Sequence, residues 1–424
     1  MEESMKLLKT AVVSASVLAM MAGGAMTGAA VAQDKITLTF VRPGSPDAVK
    51  KVYQPILDAF VKLHPNVTIE PTYMGFDEMF QRMPLEAATG KLPDVFMPPG
   101  LLMPPLAANN VLLPLGDSIP ADLKSDIAQS YWDAVTWNGQ IVAVPAVINP
   151  QALWYNADLF KAAGLDPDKP PATWDELVAD AKAITEKTGV PGMGVYGFKR
   201  NDVVDELAAV VQSNSDVWYW DQKNQAIRPD VDVKGGLQFL ADLVQKDKVT
   251  QPNVDAYSSD DVRGMLRDGK VAMLISSPPT LSVVGNDPKF RTALMPVGPT
   301  GKATSVANMD PWVVSATTQH AEMAKELVWF LSSAENVNIA ATGYGTLPPL
   351  SSIIANNPTY KSGIWPAFVD TMTKRAFFST KPITPQMSMS TDTIPQFAQN
   401  ALTGKSTPED SIKQLFQSYG WPQQ

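Results

Sequence analysis

The 424-residue sequence contains no cysteine. That absence excludes disulfides, thiol nucleophiles, thiolate-bound zinc and dithiol redox chemistry. Histidine is nearly absent too, with only His64 and His320. A histidine-rich metal site is excluded, and a Ser-His-Asp triad has just two possible bases. Each histidine sits at the end of an amphipathic helix pattern, where a surface position is expected. Positive charge is in deficit. Lys and Arg total 34 against 43 Asp and Glu, for a net charge of −9 and an isoelectric point near 4.9. Nucleic acid and anionic membranes are poor partners for such a chain, because both need a basic face. After the leader described below, no segment reaches the roughly 18 uninterrupted apolar residues of a membrane span. No internal repeat or low-complexity tract is present.

What is there begins with that leader. Lys6 and Lys9 form a short basic region, and an apolar stretch runs from Leu7 to Ala25, its end broken by Gly23 and Gly24. Ala30-Val31-Ala32 then precedes Gln33 in the small-x-small pattern that a signal peptidase cuts. The expectation is export with cleavage after Ala32. No cysteine lies at or beyond that junction, so a lipid-anchored form is excluded. Removing 32 residues from 424 leaves 392. That is more than one hydrophobic core organises, and two domains are expected. Asn66-Val67-Thr68 fits the glycosylation acceptor pattern, a match common by chance.

The first 100 residues of the exported part read as strand, helix, strand, helix, strand. Residues 36–40 alternate and are β-branched, as in a strand. Ser45 is a candidate N-cap with Pro46 at the first helical position, opening a helix to about His64 that Pro55 could kink. Residues 67–73 form a second strand, 76–89 a helix, and 94–97 a third strand running into Pro98-Pro99-Gly100. This order implies a parallel α/β sheet whose ligands sit beyond the carboxyl ends of its strands. The tips to watch are 42–45, 74–76 and 97–101, which nominates Arg42, Ser45, Met74, Phe76 and Pro98.

Further along, 141–147 and 152–155 read as strands, and Thr173 with Glu176 as a capping box opening a helix to Thr188. A strand is expected at 194–198 and helices at 202–213, 233–247 and 258–268. A buried strand over 271–275 feeds Ser276-Ser277-Pro278-Pro279, which nominates Ser276. A strand at 311–315, an apolar helix at 320–333 and a last helix capped by Thr407 complete the pattern. Trp218, Tyr219 and Trp220 form a dense aromatic group on a loop, and Trp218 joins the candidates.

Several segments occur in a familiar order. They are Gly139-Gln-Ile-Val-Ala-Val-Pro145, Leu153-Trp-Tyr-Asn-Ala-Asp-Leu-Phe160, Ala163-Gly-Leu165 and Pro171-Ala-Thr-Trp-Asp-Glu-Leu177. Ala87–Val95, Asp268-Gly-Lys-Val-Ala-Met273, Ala321–Ser332 and Gly345-Thr-Leu-Pro348 agree with them. Together they resemble the family 1 extracellular solute-binding proteins, the maltose-binding-protein type of sugar receptor that serves ABC importers. The resemblance covers almost all of the exported chain. It implies the type II two-lobed periplasmic-binding-protein fold, with crossing strands near 144–150, 297–303 and 345–349. Lobe one would be 33–146 plus 303–346, and lobe two 147–302 plus 347–424.

The function so implied is capture of a small carbohydrate in the periplasm by hinge closure and delivery to an ABC transporter permease. No cofactor, metal or catalytic residue is expected, and a monomer is. The resemblance adds Asp310 and Trp312, with Trp312 the first choice for an aromatic contact. It adds the polar turn Lys199, Arg200, Asn201 and Asp202, and Tyr344 just before the third crossing. Three aromatic positions usual in sugar-binding relatives are missing here: Pro98-Pro99 and Pro278-Pro279 stand at two, and small polar residues follow Thr384–Ser388 at the third. The ligand class therefore stays open among a small sugar, a sugar acid, a glycoside and a sugar phosphate. An exported polysaccharide hydrolase or lyase is the rival class, needing two carboxylates across a cleft. A sensor role, presenting ligand to a chemoreceptor or kinase, is compatible with transport.

Overall fold

The computed structural model describes residues 34–44, 46–198, 201–217, 220–221, 226–378 and 393–421. The leader, Ser45, Lys199, Arg200, Trp218, Tyr219 and the stretch around Thr384–Ser388 lie outside them. Strand β1 (Ile36–Pro43) pairs in parallel with β2 (Val67–Met74) along all eight residues, and with β3 (Val95–Phe96) at Phe40 and Val41. Between β1 and β2, helix Pro46–Leu63 buries Val49, Tyr53, Ile56, Leu57 and Phe60, the helical spacing of one apolar face. Helix Phe76–Ala88 leads from β2 towards β3.

The hairpin β4 (Thr136–Trp137) and β5 (Gln140–Ile141) precedes β6 (Val144–Pro150), which runs almost directly into β7 (Ala152–Asn156). The chain thereby passes from the first sheet to a second. There β8 (Met193–Gly194), β11 (Met273–Ser276) and β12 (Phe290–Ala293) join β7 in the order β12-β7-β11-β8, with β9 (Trp220–Asp221) and β10 (Ala226–Ile227) a separate hairpin. Helices Trp174–Thr188, Asn201–Gln212, Val233–Gln245, Thr393–Leu402 and Pro408–Tyr419 supply the core around this sheet. The Thr173–Glu176 capping box is formed as expected.

Strand β13 (Ser305–Val314) returns the chain to the first sheet, pairing antiparallel with β3 and β6 and parallel with β14 (Ala376–Phe378). Leu347 bridges Ile148 as a third connection, the Ile148 amide donating to its carbonyl at 3.1 Å. The middle crossing therefore lies later than the expected 297–303. The Val297 amide bonds to Ala172, Gly298 to Ser213 and Thr304 to Gln212, which ties 297–304 to the second sheet's helices. In 305–310 Ser305, Asn308 and Asp310 interrupt the apolar residues, so the strand reads from sequence only over 311–315. Pro311 sits where the β13–β6 register shifts, the kind of irregularity at which a proline is tolerated.

Two further expectations change. Of the expected 194–198 strand only Gly194 pairs, together with Met193 before it. Helices Ala334–Tyr344 and Trp365–Lys374 were not anticipated. The latter packs against β6, β7, β12, β13 and β14, with Phe368 5.8 Å from Trp154. This wedge and the three crossings make Ile36–Gln424 one compact unit built on two sheets. Both histidines end helices, His64 after Pro46–Leu63 and His320 before Ala321–Leu331.

Candidate functional site

Parallel pairing stops β1 and β2 at the same level, so Arg42, Pro43 and Met74 come together at one rim. Gly44 closes the turn at φ +133° and donates its amide to the Met74 carbonyl at 2.9 Å. A Cβ there would lie 2.5 Å from the Tyr344 hydroxyl oxygen and 2.9 Å from Arg42 Nη1, so only glycine fits. Arg42 is 2 % exposed. Its guanidinium carbon lies 4.9 Å from the centre of the Tyr53 ring and 4.3 Å from that of Tyr344. Nη1 donates to the Pro43 carbonyl, and Nε is buried without a partner. Burial alone would lower the Arg42 pKa, but the two tyrosines beside it leave it raised.

Asp310, on β13, faces the same rim. Its Oδ1 accepts the Gly100 amide at 3.0 Å. Gly100 can come that close because a Cβ on it would strike the Met309 carbonyl. Burial pushes the Asp310 carboxyl up to about 6, against the Gly100 amide and the charge of Arg42, which both pull it down. Asn308, two residues earlier on β13, donates to Asp205 Oδ2 at 2.8 Å on helix Asn201–Gln212, which belongs to the second sheet's core. Asn149 stands opposite Asn308 on β6, and its Oδ1 is buried without a partner. A single crossing strand thus carries one polar side chain tied to the first half and one tied to the second.

Of the residues nominated from sequence, the structure brings Arg42, Asp310 and Tyr344 together, with Met74 held through Gly44 and the buried Pro98 two residues before Gly100. Phe76 opens helix Phe76–Ala88 at the neighbouring strand tip, 37 % exposed. Trp312 lies in the same wall, deeper in the core. It is 2 % exposed, with its ring 5.4 Å from Phe40 and 5.8 Å from Tyr53, the same tyrosine that lies against Arg42. Ser276 sits in a different setting. It is fully buried, and its hydroxyl accepts Arg263 Nε at 3.0 Å and the Thr280 hydroxyl at 2.8 Å, which fills both of its acceptor positions from within the second half. Asn201 and Asp202 begin their helix, and their side chains, like Ser45, Arg200 and Trp218, lie outside the described residues.

Sequence reasoning missed Tyr53, Asn149, Asp205 and Asn308. The signal for Tyr53 was a hydroxyl-bearing ring in an otherwise aliphatic helix face. For Asn308 it was the alternation of polar Asn308 and Asp310 on an unrecognised strand. A separate cavity of about 330 Å³ lies between helices Phe76–Ala88 and Met103–Ala108, lined by Met83, Ala87, Leu102 and Leu106 among others. It is largely apolar and includes none of the rim residues, so the chemistry favours the rim.

The family model of bacterial extracellular solute-binding proteins matches residues 43–338. This chain belongs to that family. A binding protein of Brucella abortus (strain 2308) is 24% identical over 293 residues, 66% of this chain and 68% of that one. The arabinooligosaccharide-binding protein of Bacillus subtilis (strain 168) is 26% identical over 211 residues, 47% of this chain and 46% of its own. Among solved structures, maltose-bound T. maritima MalE3 matches at TM-score 0.79 with 25% identity, covering 90% of this chain and 98% of that one. An ABC transporter solute-binding protein of Thermotoga lettingae, bound with α-D-tagatose, matches at TM-score 0.77 with 25% identity, covering 89% and 97%. The fold is thus that of the two-lobed, MalE-type binding proteins. As an extracellular solute-binding protein the chain works outside the cytoplasm, in the transport of a solute. No helix among the described residues is long and apolar enough to cross a membrane. Nothing in these relatives supports the hydrolase or lyase alternative.

Proposed function

We propose that this solute-binding protein captures a small carbohydrate between its two halves and delivers it, chemically unchanged, to the membrane permease of an ABC importer. The observation that carries this reading is the placement of Asp310 and Asn308. Both sit on one crossing strand, one joined to Gly100 in the first half and the other to Asp205 in the second. A hydroxyl-rich solute lying on that strand meets acceptors and donors from both halves, and pairing every buried polar group is what separates stereoisomers. The sugars bound by MalE3 and by the Thermotoga lettingae protein support a carbohydrate. So does the printed specificity of the Bacillus subtilis relative.

The lobes of this reading are 33–146 plus about 305–346, and 147–304 plus 347–424, hinged at the three crossings. Ligand draws them together, and the closed form is what the permease engages. The protein acts as a monomer in the periplasm after cleavage behind Ala32, with neither cofactor nor catalytic step. The test is a thermal-shift screen of sugars, sugar acids and sugar phosphates. A ligand present well above its Kd raises the melting temperature by mass action. No shift with any of them, together with turnover of a polysaccharide, refutes the reading.

A further inference from the structure

Building on that reading, we infer that the solute is anionic, a sugar bearing a carboxylate or a phosphate, and that Arg42 receives its charge. The guanidinium has five N–H donors and no way to lose its proton. Among the described residues Nη1 donates to the Pro43 carbonyl, the Tyr53 and Tyr344 side chains also hydrogen-bond the guanidinium, and Nε has no partner. No carboxylate among the described residues forms an ion pair with it. The nearby acid, Asp310, instead gives Oδ1 to the Gly100 amide. At 2 % exposure this charge is held by the Tyr53 and Tyr344 side chains beside it rather than by a counter-ion of its own.

The surroundings favour an anion as the missing partner. Helix Pro46–Leu63, 18 residues long, begins four residues after Arg42 and turns its positive end to the same rim. The Gly44 turn brings Nη1 to that helix start. A neutral hydroxyl could accept one hydrogen bond here but would leave the charge unbalanced. A carboxylate or phosphate takes two from the planar fork, each charge-assisted. Size follows from β13. Asn308 and Asp310 are two strand residues apart, roughly 7 Å on one face. An anionic group at Arg42 and hydroxyls at Asn308, Asn149 and Asp205 therefore fit one sugar unit better than a long neutral oligosaccharide.

The test is calorimetric titration of the exported chain with hexuronates, hexose phosphates and the matching neutral hexoses. One acid or phosphate is expected to bind at least tenfold tighter than its neutral counterpart, and the panel tells carboxylate from phosphate. Arg42→Met should weaken that binding a hundredfold or more. Arg42→Lys, which keeps the charge but loses the fork, should fall in between. Asp310→Asn, which removes a like charge from the rim, should tighten it several-fold, and this arm stands even if Arg42→Met does not fold. A neutral hexose binding as tightly as its acid, or acid binding unchanged in folded Arg42→Lys and Asp310→Asn, overturns the inference while leaving carbohydrate capture intact. Failure of the whole panel to bind removes both.

Discussion

The two sheets end in similar residues and use them differently. At the end of β11, Ser276, Arg263, Thr280 and Trp154 close a complete network. Arg263 donates to Ser276 and pairs with Asp260 at 2.9 Å, Thr280 donates to Ser276, and the Trp154 indole donates to the Ser276 carbonyl at 3.2 Å. At the end of β1, Arg42 has a buried Nε with no partner, and Asp310 holds a carboxyl pushed up to about 6. Both sites place an arginine at a strand tip. One is finished by its own chain, and the other has donors left for something from outside. Residue type alone cannot tell them apart; hydrogen-bond satisfaction can.

The sharpest way to break this comparison is Trp312→Ala. If Trp312 is packing beneath the rim, the variant loses roughly 3–5 kcal/mol in denaturant unfolding, the usual cost of truncating a buried tryptophan. Lost affinity with unchanged stability would make it a ligand anchor instead. Next is Asp310→Asn. Folded Asp310 keeps its proton up to about pH 6, against 3.8 for the free carboxyl, so protonation favours the folded state. That contribution is complete below 3.8 and is lost as pH rises through about 6. The variant, neutral throughout, should exceed the parent by roughly 3 kcal/mol at most above pH 7 and by nothing at pH 3.5. A constant difference across that range would show that Asp310 does not titrate there.

The two arginines give the finer contrast. Arg263→Met strands Ser276 and should cost about 1.5–3 kcal/mol, the range for hydrogen bonds to charged groups. Arg42→Met removes an uncompensated charge while keeping an apolar stem, so ligand-free stability should stay within about 1 kcal/mol. Equal losses at both would erase the distinction drawn here. The smallest effect is on shape. Solution scattering should show a slightly smaller radius of gyration with ligand, and an unchanged radius at saturation would argue against closure.

Much of this was legible in the sequence where local physics dominates. The β1 alternation, the stripe of helix Pro46–Leu63 and the Thr173–Glu176 box all depend on neighbours a few residues away. Strand tips then led to Arg42, Met74 and Pro98, while family resemblance led to Asp310 and Tyr344. What escaped depends on distant contacts. Ser305–Asp310 alternates only over its last three residues, and what makes the whole segment a strand is pairing with distant β6 and β14. Tyr53 looked like core because its ring is core, and its second role needs Arg42 against it. Asn308 meets Asp205 from 103 residues away, a pairing no local pattern encodes. A tryptophan on a crossing strand reads the same in sequence whether it faces ligand or Phe40, so the packing of Trp312 on Phe40 was not legible.

The central claim is that solute lies on β13 at the Arg42 rim. Hydrogen exchange with and without the best sugar from the screen tests it most directly. The account predicts slower exchange at residues 97–102 and 307–310, with the Ser276–Thr280 turn unchanged. Protection confined to that turn, with none along β13, would contradict it.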